Sequence, residues 1–69
     1  MKKLLKRLEE RREVIENRHN AAIDASIHYE ELNDEEETEW WRTQAMRLSA
    51  RLYEIDMIID WVKGEIKDE

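Results

Sequence analysis

Glu16 and His19 stand three residues apart, the spacing at which a helix turns a carboxylate and an imidazole to the same side. Bundles that hold two metal ions between facing helices use that pattern, completed by acids at the same depth on a second helix. Near Leu48, where a returning chain would come level, the sequence offers Ser49 and Arg51, and neither completes a ligand set. No metal is expected. Cysteine is absent, which removes thiolate zinc sites, disulfides and a thiol nucleophile, and makes a reducing compartment the natural expectation. The chain has no glycine-rich phosphate loop and no Ser/His/Asp arrangement. It is therefore expected to be non-enzymatic and to carry no cofactor, with His19 a half-buried interface residue and His28 an exposed one.

Two short strings nonetheless resemble patterns of helical enzyme families. Glu13-x-x-Glu16 together with Glu31-x-x-Asp34 is similar to the paired acids with which all-α nucleotide pyrophosphohydrolases bind magnesium. The second pair falls at the expected turn, where two acids cannot share one helix face as ligation requires. Glu54-Ile55-Asp56-Met57-Ile58-Ile59 resembles the Glu-Leu-Asp-x-Leu-Ile core of the small sporulation-type aspartyl-phosphate phosphatases, which are also helical hairpins. That resemblance implies a functional role for Asp56. In that family a serine and a glutamine precede the core, whereas Leu52 and Tyr53 stand there in this chain. Heptad spacing alone generates such a string.

The elements that would position any of these residues are helices. Proline is absent and glycine occurs once, at Gly64, so the punctuation of a many-element fold is missing. One break is legible. Asn33 tolerates the left-handed conformation that ends helices, and Asp34 followed by Glu37 is a capping-box-like start. The pattern predicts one domain over residues 1–69, with helix 1 over about 2–32, a turn at 33–34 and helix 2 over about 35–66. A single uninterrupted helix in a long coiled coil is the rival. Helix 2 repeats apolar residues at steps of four and three through Trp41, Ala45, Leu48, Leu52, Ile55, Ile59, Val62 and Ile66. Helix 1 follows less faithfully through Leu4, Leu8, Arg11, Ile15, Arg18, Ala22, Ala25, Tyr29 and Leu32. If the chain reverses at the turn, facing residues carry numbers that sum to about 67. Ala22 and Ala25 then make room for Trp41, Ile15 faces Leu52, Leu8 faces Ile59 and Leu4 faces Val62. Arg11 falls near Asp56 and Arg7 near Asp60. This agreement favours the hairpin.

Helix 2 has more apolar surface than one hairpin seam can cover. Met46, Ala50, Tyr53, Met57 and Trp61 form a second line, widened by Ile58 and Trp40. A chain of 69 residues rarely encloses a sufficient core alone, so association is expected. These seven residues are the expected partner or dimer interface. The expected architecture is all-α: an antiparallel two-helix hairpin that dimerises into a coiled-coil-like four-helix bundle.

Charge adds orientation and limits partners. Residues 1–18 hold seven Lys or Arg against four Glu, whereas the expected turn carries Glu30, Glu31, Asp34, Glu35, Glu36, Glu37 and Glu39 without a base. In a hairpin the basic start, with Lys2, Lys3 and Lys6, lies beside Glu65, Asp68 and Glu69. Two hairpins with their turns at opposite ends would set acidic tip against basic tail, so an antiparallel homodimer is expected. The acidic tip also suggests a nucleic-acid mimic, and the basic start an RNA-binding hairpin. A net charge of −6 argues against nucleic acid as a direct ligand. No segment suits a signal peptide or a membrane span, so a soluble, cytoplasmic protein is expected. The favoured function is a small regulator or inhibitor that occupies a surface of a larger bacterial or phage machine, such as a polymerase, a repressor or a defence nuclease.

Overall fold

A computed structural model describes residues 1–67. Two α-helices, α1 over Lys2–Glu31 and α2 over Glu35–Lys67, pack against each other along their length as a hairpin. The molecule is a rod of 54 × 15 × 11 Å. Asp68 and Glu69, which the charge pattern sets beside the basic start of α1, lie outside the described residues.

The reversal is built from backbone hydrogen bonds. Asn33 adopts φ 58°, the left-handed conformation that asparagine tolerates better than branched or bulky residues do. Its N–H donates to the Glu30 carbonyl at 3.0 Å, and the Asp34 N–H donates to that of Tyr29 at 3.0 Å. Together these two bonds make a Schellman motif that satisfies the last carbonyls of α1. Asp34 then caps α2: its Oδ1 accepts from the Glu37 N–H at 3.1 Å. Glu35, Glu36 and Glu37 occupy the first turn of α2, where they face the positive end of its dipole.

The buried side of α2 runs through Thr38, Trp41, Ala45, Leu48, Leu52, Ile55, Ile59, Val62 and Ile66, all buried or half-buried. The stripe of α1 keeps the expected Leu8, Ile15, Ala22 and Tyr29 and moves by one residue at the positions between them. Leu5, Leu8, Arg12, Ile15, His19, Ala22, Ser26 and Tyr29 turn inward, whereas Leu4, Arg11, Arg18 and Leu32 are exposed. The reason is the cost of burying charge. The expected phase would bring two arginines into the seam, and a buried guanidinium without a partner is strongly disfavoured. The observed phase admits one, Arg12, which has acids within reach. Its Nε donates to Asp56 Oδ1 at 2.5 Å and its Nη1 to Glu16 Oε2 at 2.6 Å. Asp56 is thus paired with Arg12 and not with the expected Arg11, and no ion pair joins Arg7 to Asp60 among the described residues. Hydrogen bonding and proximity to Asp56, and then to Glu16, hold the Arg12 guanidinium above its ordinary pKa. A raised pKa stabilises the fold fully below the unfolded value, so this contribution is constant across neutral pH and fades only in strong alkali.

Packing differs between the two halves of the rod. Away from the turn, Ile15, Ile55 and Ile59 form the core with Leu5, Leu8, Leu48 and Leu52 against it, and Val62 is wholly buried. Toward the turn the seam narrows to Ala22, Ala25, Ser26, Thr38 and Ala45 around Trp41. The buried hydroxyls are satisfied within their own helices, Ser26 donating to the Ile23 carbonyl and Thr38 to that of Asp34, each at 2.7 Å. The indole N–H of Trp41 is buried without an acceptor, an arrangement that costs about 1–3 kcal/mol.

Substitutions at two positions test this account by urea unfolding at fixed protein concentration. Asn33→Ala is expected to cost about 1 kcal/mol, because a Cβ without a local hydrogen-bonding group disfavours positive φ, while Asn33→Gly is tolerated. Arg12→Leu is expected to leave the urea midpoint close to that of the wild type, since half-exposed ion pairs contribute little and leucine suits the seam. A variant that no longer folds cooperatively would make the Arg12–Asp56–Glu16 cluster the anchor of the hairpin.

Candidate functional site

The inward stripe fixes where every other side chain points, because each helix carries a seven-residue repeat with Leu5 on α1 and Thr38 on α2 at position a. In an antiparallel pair the e positions of both helices share one flank and the g positions share the other. The back of each helix carries b, f and c.

The e flank compensates its own charge. It holds the Arg12–Asp56–Glu16 cluster and, nearer the turn, an ion pair between Arg42 and Glu30 at 3.0 Å. An open cleft of about 470 Å³ on this flank is lined by Glu9, Glu13, Asp60 and Lys63 beside that cluster. The acidic tip continues it. Glu30, Glu31, Asp34, Glu35, Glu36, Glu37 and Glu39 are all exposed, and a shallow cleft of about 650 Å³ there is lined by Glu30, Asp34, Glu35 and Glu39 with Arg42 and Met46. Asp34 is engaged as a helix cap and Glu30 as the partner of Arg42. Glu31 and Asp34 end up on opposite sides of the reversal, one the last residue of α1 and the other ahead of α2.

The seven residues of the expected interface are all exposed, and they wrap the outer half of α2 rather than forming one line. Met46 at 73% exposure and Tyr53 at 69% stand on the shoulder toward the e flank, with Ala50 and Met57 on the ridge opposite α1. Trp40, Ile58 and Trp61 stand on the g side. Val14, Ile23, Ile27 and Leu32 of α1 are exposed as well. Twelve large hydrophobic side chains are exposed in all, against five hydrophobic residues that are buried. That ratio inverts the usual preference of a folded chain for hiding such groups.

The g flank contains a feature that the sequence did not reveal. An open cleft of about 380 Å³ is lined by Ala21, Ala22, Trp40, Trp41, Gln44 and Leu48, with Arg18, Arg47 and Arg51 around it. The two indoles meet edge to face, with ring centroids 4.7 Å apart and planes at 87°. The signal for this grouping was the phase of α1. Once Arg18 leaves the seam for a g position, it comes to the same flank as Arg47 and Arg51.

Among the described residues no group of three or more His, Asp or Glu side chains is arranged to hold a metal ion. His19 is half-buried at a seam position, and His28 is exposed with its ring edge to face on Tyr29, centroids 5.2 Å apart. No helix of the described residues is long and apolar enough to cross a membrane. Comparison with protein-family models, with curated proteins and with solved structures finds no match to this chain.

Proposed function

We propose that this hairpin is a non-enzymatic protein–protein interaction module that pairs with a second copy into an antiparallel four-helix bundle. In this reading it acts as a small regulator or inhibitor by occupying a surface of a larger partner. The observation that carries the reading is the exposed apolar outer half of α2. Met46, Tyr53 and Met57, each 57% exposed or more, follow one another at helical spacing along the side that α1 leaves open.

Such residues stabilise an assembly by leaving water, at roughly 25 cal/mol for each Å² of apolar surface covered. A rod 54 Å long offers length enough for a contact on the scale of the ~800 Å² per partner of a standard specific interface. A second copy supplies the same chemistry in reverse order, as a closed two-fold contact requires. Antiparallel association sets Lys2, Lys3 and Lys6 of one copy beside the acidic turn of the other, whereas parallel association would stack like charges.

Sedimentation equilibrium in the micromolar range is expected to give the mass of a dimer, and thermal unfolding is expected to shift upward with protein concentration. The double variant Tyr53→Glu/Met57→Glu is expected to sediment as a monomer, with its helicity lowered and independent of concentration. A wild-type chain that sediments as a monomer and unfolds independently of concentration would overturn the dimer.

A further inference from the structure

We infer that the g flank, centred on the Trp40–Trp41 cleft, is a docking groove for an acidic amphipathic helix of another protein. The inference rests on the reading of this chain as an interaction module, and it assigns to the target a different flank from the one proposed for self-association.

The first observation is uncompensated charge. Arg18, Arg47 and Arg51 converge on one cleft, and among the described residues none of the three makes an ion pair. Arg47 and Arg51 are one helical turn apart, where like charges are mildly repulsive. The helical repeat sets Arg7 and Arg11 on the same flank, five arginines in all against Glu37, Glu54 and Glu65 among the described residues. The chain as a whole is acidic at −6, so this basic strip is a local departure from its average. Guanidinium groups are suited to bidentate pairing with carboxylates.

Apolar surface among those charges is the second observation. Trp40 at 53% exposure, Ile58 at 48% and Trp61 at 62% stand along the α2 side of the flank, with Val14 and Leu32 on the α1 side. The cleft floor is Ala22 and Leu48 with the Trp41 ring. An apolar strip edged with arginines complements a helix whose apolar stripe is edged with Asp or Glu. Such a helix would lie along the rod and anchor one large apolar side chain in the cleft.

Charge disfavours the two other occupants. In a full-length antiparallel pairing, Arg18 lies near mid-length, so a second copy on this flank would bring its own Arg18, Arg47 and Arg51 close to these three. A nucleic acid would carry its phosphates past the acidic turn that adjoins the cleft. A short acidic helix places discrete carboxylates at the arginines, within the ~8 Å over which charges act at physiological ionic strength.

The test is fluorescence anisotropy of the full chain with three labelled probes at physiological salt. One is a three-heptad peptide with leucine at the a and d positions and glutamate at e and g. The others are its scrambled isomer of equal charge and an oligothymidylate. The amphipathic peptide is expected to bind in the micromolar range and the other two much more weakly. Arg18→Glu/Arg47→Glu/Arg51→Glu is expected to weaken that binding by at least about tenfold, and Trp40→Ala to weaken it while leaving helicity unchanged. Failure of the wild-type chain to bind the peptide overturns the inference. So does equal binding of the scrambled isomer, tighter binding of the oligothymidylate, or unchanged affinity in the triple variant. Sedimentation of the same samples separates the two proposals. A dimer that ignores the peptide removes only the groove, and a monomer that binds it removes only the self-association.

Discussion

Two helices in contact can each bury one stripe, and that geometric limit governs this molecule. A rod only 15 Å by 11 Å in cross-section has no interior beyond the seam. Whatever apolar residues the sequence supplies outside positions a and d must face water or another chain. Here Ile15, Ile55, Ile59 and Val62 occupy the seam, and the surplus includes two tryptophans, a tyrosine and several aliphatic residues. The surplus belongs to the helical repeat itself, because Met46, Ala50, Tyr53 and Met57 recur at steps of four and three just as the seam does. The arrangement is thus one of helices with more than one organised face, and not of residues stranded at random.

The hairpin and the inward face of α2 were legible because one reversal signal stands alone and because α2 has an uninterrupted apolar repeat. The phase of α1 was not legible from periodicity. Leu4 adjoins Leu5, Arg11 adjoins Arg12, and Ala25 adjoins Ser26, so two stripes that share Leu8, Ile15, Ala22 and Tyr29 and differ by one residue between them score almost alike for hydrophobicity. What separates them is pairing across the seam. Arg12 reaches Asp56 on the other helix, a fact of three dimensions that no count along one helix contains. The same one-residue rotation decided which arginines became surface groups, and so the basic cleft on the g flank stayed hidden. The exposure of Trp40, Tyr53 and Trp61 could be anticipated from the repeat, but their division between opposite shoulders of α2 needed the helical phase.

Charge is sorted around the rod as well as along it. The e flank neutralises itself through Arg12 with its two acids and Arg42 with Glu30. The g flank gathers arginines without partners, and the turn gathers acids. Sorting of this kind adds little to the stability of an isolated hairpin, since exposed pairs contribute little. It has more effect on which surfaces can approach one another and in which direction.

The narrowing of the seam toward the turn makes the two ends mechanically unlike. Where isoleucines and leucines interlock, bending the rod would open voids, and close-packed interiors resist that steeply. Where alanines and hydroxyl residues surround Trp41, less contact is lost by the same displacement. The Asn33 reversal keeps that end tethered even when its side chains shift. The same displacement therefore sacrifices less packing beside the two indoles than along the aliphatic ladder beyond.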